Sequence, residues 1–405
     1  MKAIAGLAAA GLLVLAGPAL AQAPRLEKTR VALSVGGSIS QMNKVAFVVA
    51  LHRKYFEQEG LVIDATPFAS GTAALQNLIG GNADVVEGSF EHTLRMQTKG
   101  IGLMCIAVFG RYPANVLVVR KSQADKIKTI ADLKNKKIGI SAPGSSTHNF
   151  VAGLMTRAGV NYKDASYISV GTGLSAVAAM RSGGELDALV NLDPAINALV
   201  DAGEVVVLAD SRTDEGTRAA YGGPYLADCL YTKTEFVKAN PNTTQAIANA
   251  IVHAMQWLKT ASIDDIIKSL PPEYYRTDEK LYRKSLEKNL SAFQWDGIVS
   301  NEAVKSVWNA ISILEPELQA AKVEMDRTYD NALIERALAK YKRHSRIDDA
   351  AASVPVLCAI VSIARNLLGW YKHLQEGVAH VSTHDRLCAG GLSSGLNTGA
   401  SGPCS

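Results

Sequence analysis

A chain of 405 residues is longer than one compact core usually extends and suits two domains of roughly 100–200 residues each. Hydrophobic residues at 48% and charged residues at 20% exclude wholesale disorder and fibrous or collagen-like structure. The 42 Lys+Arg against 38 Asp+Glu leave a net charge of only +4, and no basic run is long enough to follow a phosphate backbone, so nucleic acid is not expected as a partner.

The chain opens with Lys2, an apolar block from Ala3 to Leu15, Gly17-Pro18, and the small-x-small sites Ala19-Leu20-Ala21 and Ala21-Gln22-Ala23. This pattern predicts a cleaved secretory signal over residues 1–23, since the block is shorter than the ~20 residues that span a bilayer. The later Val354 to Ala364 run stops at Arg365, so the mature chain is expected to be soluble. Of five cysteines, Cys105 and Cys229 lie in the body and read as buried thiols rather than a staple, and Cys358, Cys388 and Cys404 lie near the end.

From Thr29 to about Ala239, short β-rich runs alternate with helical patterns, the signature of an α/β protein with mostly parallel sheets. Strands are predicted at Arg30–Val35, Leu61–Pro67, Asp84–Glu87, Leu103–Phe109, Asn115–Arg120, Lys137–Ser141, Ala165–Val170, Ala188–Asn191, Val205–Ala209 and Asp228–Thr232. After Pro241 the pattern turns helical, over Thr243–Thr260, Thr277–Phe293, Asn301–Leu314 and Tyr329–Lys340.

A weak internal repeat runs through the α/β part. The stretch from Val31 through Gly37 and Ser38 parallels that from Ile138 through Gly144 and Ser145, each a strand entering a Gly/Ser turn and then a helix. Ser70-Gly71-Thr72 followed by Gly80-Gly81-Asn82-Ala83-Asp84 parallels Gly173-Leu174-Ser175 followed by Gly183-Gly184-Glu185-Leu186-Asp187. Such units place Gly/Ser/Thr turns at the C-terminal strand ends, where open α/β sheets bind ligands and helix starts present free N–H groups. Two lobes built this way put two rims around one cleft, with the turn at Gly144–Thr147 expected opposite Gly37-Ser38.

Several stretches resemble the periplasmic solute-binding proteins of ABC importers, in the group serving nitrate, alkanesulfonates, taurine and thiamine-precursor pyrimidines. They are Tyr55-Phe-Glu-Gln-Glu-Gly60, Phe68-Ala-Ser-Gly71-Thr-Ala-Ala-Leu, Gly81-Asn-Ala-Asp84-Val, Ile130-Ala-Asp132-Leu-Lys-Asn-Lys-Lys137 and Pro143-Gly-Ser-Ser. The resemblance covers about Thr29 to Tyr341. It implies a type II periplasmic-binding-protein fold, α/β, with two lobes joined by two hinge strands at Asn115–Arg120 and Asp228–Thr232. The implied division is a first lobe over 24–117 and 230–342, the second part mostly helical, and a second lobe over 118–229. Residues 343–405 form an atypical tail, expected to be disordered from its Gly/Ser-rich end.

Candidate ligand contacts are the hydroxyls and backbone N–H groups of Ser38, Ser70, Gly71, Thr72, Ser89, Gly144, Ser145, Ser146, Thr147 and Thr172, with the strand-end carboxylates of Glu87 and Asp193 accepting from ligand N–H groups. Ser145–Thr147 and Asp193 could equally cap helices. Three other patterns are set aside. Gly171-Thr-Gly173-Leu-Ser-Ala176 is a loose dinucleotide fingerprint without the partnering acid spacing. Gly391-Leu-Ser393-Ser-Gly395 fits a serine-hydrolase elbow but has no flanking strand and helix, and His380, His384 and Cys388 have metal-like spacing without helix support. No catalytic constellation, metal or cofactor is expected.

The resulting expectation is a periplasmic, non-enzymatic, monomeric receptor that captures a small polar or anionic organic solute of sulfonate, taurine, nitrate or pyrimidine type. It would deliver this solute to an ABC permease with its ATPase. Alternatives are an enzyme like the pyrimidine-precursor synthase of thiamine biosynthesis, whose cysteine-rich motif has no equivalent here, and a periplasmic ligand sensor.

Overall fold

All ten predicted strands form, with ends within two residues of expectation, and they divide into two five-stranded sheets. The computed structural model describes residues 24–183 and 185–341, so the segment expected to be a signal, the tail and the motifs in the tail lie outside the described residues. The strands are β1 (Arg30–Gly36), β2 (Val62–Phe68), β3 (Val85–Ser89), β4 (Leu103–Val108), β5 (Val116–Arg120), β6 (Lys137–Ile140), β7 (Ser166–Ser169), β8 (Ala188–Asn191), β9 (Val205–Asp210) and β10 (Asp228–Lys233).

The first sheet runs β2-β1-β3-β10-β4 and the second β7-β6-β8-β5-β9. In the first, β1 is parallel to β2 and β3, and β10 is antiparallel to both its neighbours. In the second, β6 is parallel to β7 and β8, and β5 is antiparallel to β8 and β9. Each sheet therefore has the order 2-1-3-n-4, with n the strand that follows a crossing between sheets, which is the type II arrangement. The segments expected as hinges, Asn115–Arg120 and Asp228–Thr232, are almost wholly ladder strands, and the connections between sheets are the residues 109–115 and 211–227 that precede them.

Helices pack on these sheets. They are α1 (Val45–His52), α2 (Tyr55–Gln58), α3 (Gly71–Ile79), α4 (Glu91–Gln97), α5 (Ser146–Arg157), α6 (Leu174–Arg181), α7 (Ala195–Asp201), α8 (Asp214–Tyr221), α9 (Thr234–Ala239), α10 (Pro241–Leu258), α11 (Ile263–Ser269), α12 (Glu279–Asn289), α13 (Asn301–Ser312), α14 (Pro316–Ala320) and α15 (331–341). Helix α1 is apolar nearly all round because it is buried all round, between the first sheet and α10. Proline at the first position of α10 has no N–H to lose and pre-sets the helical φ. The helix expected over Thr277–Phe293 starts after the Asp278 cap and ends in a 3-10 turn, Leu290–Ala292. The short α9, α11 and α14 have too few turns for a periodic signal.

One hydrophobic core lies under the first sheet, where Leu33 and Val35 meet Phe47, Ile251, Met255 and Leu286. A second runs between lobes, joining Val86 and Cys105 to Leu117, Ile138 and Phe150 through Val304, Val307 and Trp308 of α13. Cys105 and Cys229 are buried free thiols on neighbouring strands.

Candidate ligand-binding site

The parallel strands β1 and β2, and β6 and β7, end on the cleft. Gly36 closes β1 where a Cβ would stand 2.7 Å from Gly71 Cα and 3.0 Å from the Glu87 carbonyl, so only glycine lets β1, β3 and the start of α3 converge. Gly144 turns the chain into α5 at φ +72°, in the left-handed region.

The rims touch. Ser38 N donates to Thr172 Oγ1 at 2.7 Å, Thr72 Oγ1 to the Pro143 carbonyl at 3.3 Å and Met42 N to the Asp193 carbonyl at 3.2 Å. This corrects the expected pairing: the Gly144–Thr147 turn faces Thr72, while Ser38 faces Thr172. Two similar lobes turned toward each other bring the first turn of one against the second turn of the other.

Between the rims is a cavity of about 30 Å³, room for one or two water molecules. The first lobe lines it with Gly36, Gln41, Asn43, Lys44, Gly71, Gly88, Ser89, His92 and Asp228, and the second with Ser141, Ser145, Ser146, Thr147, Thr172 and Leu192. Six of the twelve residues singled out from sequence are here: Gly71, Ser89, Ser145, Ser146, Thr147 and Thr172. Ser38 and Thr72 hold the lobe contact, Gly144 shapes the turn, and Ser70 caps α3 by accepting from Ala73 N at 3.2 Å. Glu87 is fully buried behind Lys44. The Asp193 carboxylate is directed away from the cavity: it accepts from Asn197 N, Arg212 Nη1 at 2.9 Å and Asn289 Nδ2 at 2.8 Å.

The first-lobe wall holds an ion cluster that sequence reading missed. Lys44 Nζ lies 2.6 Å from Glu87 Oε2 and 3.4 Å from Asp228 Oδ1, and Asn43 Nδ2 donates to the same Asp228 oxygen at 3.0 Å. Burial works against the Lys44 charge, but Glu87 and Asp228 outweigh it and hold the ammonium protonated. Burial pushes the Glu87 carboxyl up to about 7 against the pull of Lys44, and raises Asp228 as well. His92 is held neutral, its pKa lowered to about 3 by burial and then by Arg95 and Lys44; its Nδ1 meets Tyr231 Oη at 2.9 Å. Gln41, Asn43 and Lys44 left only one signal in the sequence, a polar trio directly before the apolar run Val45–Ala50.

The second-lobe wall is a triangle of hydroxyls. Ser141 Oγ donates to Ser145 Oγ at 2.8 Å, and Thr147 Oγ1 lies 2.8–2.9 Å from both. Ser145 also caps α5, accepting from His148 N. Ser145→Ala should therefore lower stability by about 1 kcal/mol, as lost caps do, whereas Ser146→Ala should leave it within about 0.5 kcal/mol. Chemical denaturation of both variants checks this; equal losses would show that the cap is not what Ser145 supplies.

Among the described residues, no group of three or more His, Cys, Asp and Glu stands where it could hold a metal ion, and no helix is long and apolar enough to cross a membrane.

The chain is similar to a protein of Bordetella bronchiseptica RB50 of known structure, at 38% identity over 79% of this chain and 100% of that one, with a TM-score of 0.76. It shares its fold with two more distant structures. One is the alkanesulfonate-binding protein of Xanthomonas axonopodis pv. citri bound to MOPS (20% identity, 77% and 98% coverage, TM-score 0.56). The other is the periplasmic nitrate-binding protein of Synechocystis PCC 6803 (14%, 78% and 90%, 0.61). No curated protein matches the chain. Residues 41–261, more than half the sequence and the part that holds nearly all of the cleft, match the NMT1/THI5-like family, and the chain belongs to that family.

Proposed function

We propose that this chain is the exported, periplasmic substrate-binding component of an ABC import system, a monomer that closes two lobes over one small polar solute and presents it to a permease and its ATPase. The observation that carries the reading is the cavity itself. Its two walls come from different lobes, and the buried Gln41 and His92 and the half-buried Asn43 each bring to it a buried polar atom without a hydrogen-bond partner in the described structure. Buried polar groups are normally paired, so such atoms suit a ligand. Fold likeness to the sulfonate- and nitrate-binding proteins points the same way.

The mechanism needs no bond-making residue. A solute that touches both walls gains its second set of contacts only when the lobes are closed, so its differential affinity shifts the hinge equilibrium. A true ligand should raise the melting temperature saturably, by an amount equivalent to about 2.7 kcal/mol at a hundredfold excess over Kd. A thermal-shift screen of small sulfonates, nitrate, amines, amides, aromatic acids and pyrimidines tests this, and the absence of any saturable shift would overturn the receptor reading.

A further inference from the structure

The charge on the cavity wall narrows the class of solute, given the receptor reading above. We propose that the solute selected by this cleft carries an N–H donor, as an ammonium, amidinium or amide group, and has no net negative charge. Simple sulfonates and nitrate are then not its ligands.

Among the described residues one cation lines the cavity, Lys44, and its ammonium is already held between Glu87 and Asp228. With both carboxyls ionised the three groups carry minus one, and a proton shared by the two carboxyls, whose affinity for it burial raises, brings them to zero. The neighbouring carboxylate of Glu91 accepts from Asn149 and Tyr225, and the nearby His92 and His148 are both kept neutral. Arg212 is committed to Asp193 and Asp210. Arg95, which bears on His92, pairs with Glu315 and does not line the cavity. Among the described lining residues no unpaired positive charge is left to balance an anion enclosed between the lobes, and an unbalanced buried charge is costly.

The hydrogen-bonding atoms agree. Because Asn43 turns its Nδ2 to Asp228, its unpartnered Oδ1 is an acceptor. Both contacts to the Asp228 carboxylate fall on Oδ1, so Oδ2 keeps its acceptor capacity. Two acceptors on residues that line the same cavity suit a donor with more than one hydrogen, which an ammonium, amidinium or amide nitrogen supplies. Toward the second lobe, the start of α5 and the unpartnered Gln41 Nε2 offer donors. A helix start carries only about half a positive charge, enough for a carbonyl or one end of a zwitterion but less than the opposing carboxylate.

The test is a thermal-shift and calorimetric comparison of matched pairs on the purified protein: taurine with ethanesulfonate, propionamide with propionate, and benzamidine with benzoate, with nitrate added. It is then extended to larger panels of the same charge classes. Saturable binding is expected only among compounds with an N–H donor and no net negative charge. In Asp228→Asn, the dissociation constant of the best such compound should rise at least about tenfold, the scale of losing a hydrogen bond to a charged group. Asn43→Leu, on a half-buried side chain, gives the second reading if Asp228→Asn does not fold, and should also weaken binding. An amine-free and amide-free anion that binds saturably would overturn the inference while leaving the receptor reading intact, as would an unchanged dissociation constant in both variants. No binding in any class would overturn both.

Discussion

Replacing Lys44 by methionine should cost about 3–5 kcal/mol of folding free energy, the usual penalty for removing one partner of a buried ion pair. The side chain is 2% exposed and methionine replaces all of its unbranched stem but the terminal nitrogen, so the loss comes mainly from stranding Glu87 and Asp228 without their cation rather than from a cavity. Glu87→Gln on the same background should restore much of the loss, because one buried charge goes with it. The pH dependence has a definite sign. With the ammonium gone, both carboxyls titrate higher in the folded than in the unfolded state, so the folded form binds more protons and stability falls as pH rises from 5 to 8. Urea denaturation at pH 5 and pH 8 reads both effects. A variant equally stable at the two pH values would show that the carboxylates are solvated rather than buried.

Arg212→Met should have an effect of the same size, about 3–5 kcal/mol, by stranding the fully buried Asp193. Arg212 forks onto Asp210 and reaches Asp193, whose other hydrogen bonds come from Asn197 and from Asn289 of α12. Lysine cannot reproduce that fork, so Arg212→Lys should recover only part of the loss. This cluster also has a mechanical side. Tyr282 and Leu286 of α12 belong to the first-lobe core, while Asn289 and Ser285 bond to Asp193 and Asn197 of the second lobe. Arg212→Met should therefore loosen closure as well as folding, seen as a larger radius of gyration in small-angle scattering. A destabilised variant with unchanged dimensions would confine the role of Arg212 to its own lobe.

The strands were legible in the sequence because each is a short apolar or β-branched run bounded by Gly, Pro or Asp, and buried parallel strands leave that mark. Turns such as Gly71-Thr72 and Gly144-Ser145-Ser146 were legible for a similar reason, since the backbone conformation that shapes them restricts the residue type. The ion cluster was not. Lys44, Glu87 and Asp228 are separated by 43 and up to 184 positions and meet only because β10 enters the first sheet beside β3. Local pattern carries no record of such pairings, so Asp228 read as the first residue of a hinge and Lys44 drew no reading at all. Asp193 shows the reverse case: a carboxylate at a strand end suggested a ligand contact or a helix cap, and it accepts from Asn197 N four residues on while its other partners lie 19 and 96 residues away.

The place of β10 also sets the order in which the protein can assemble. Strands β3 and β4 are not neighbours; each pairs with β10, which arrives about 120 residues after β4 leaves the sheet. Until Asp228–Lys233 is available, the first half of the chain holds a three-stranded sheet with an open edge and a detached fourth strand. Both carry unpaired backbone groups and uncovered apolar surface. The N-terminal region therefore cannot reach its native state alone, and completing the first sheet requires closure of a long loop containing the whole second sheet. A chain built this way stays incompletely folded until more than half of it has been made, and its half-made sheet is the species most in need of protection from edge-to-edge association.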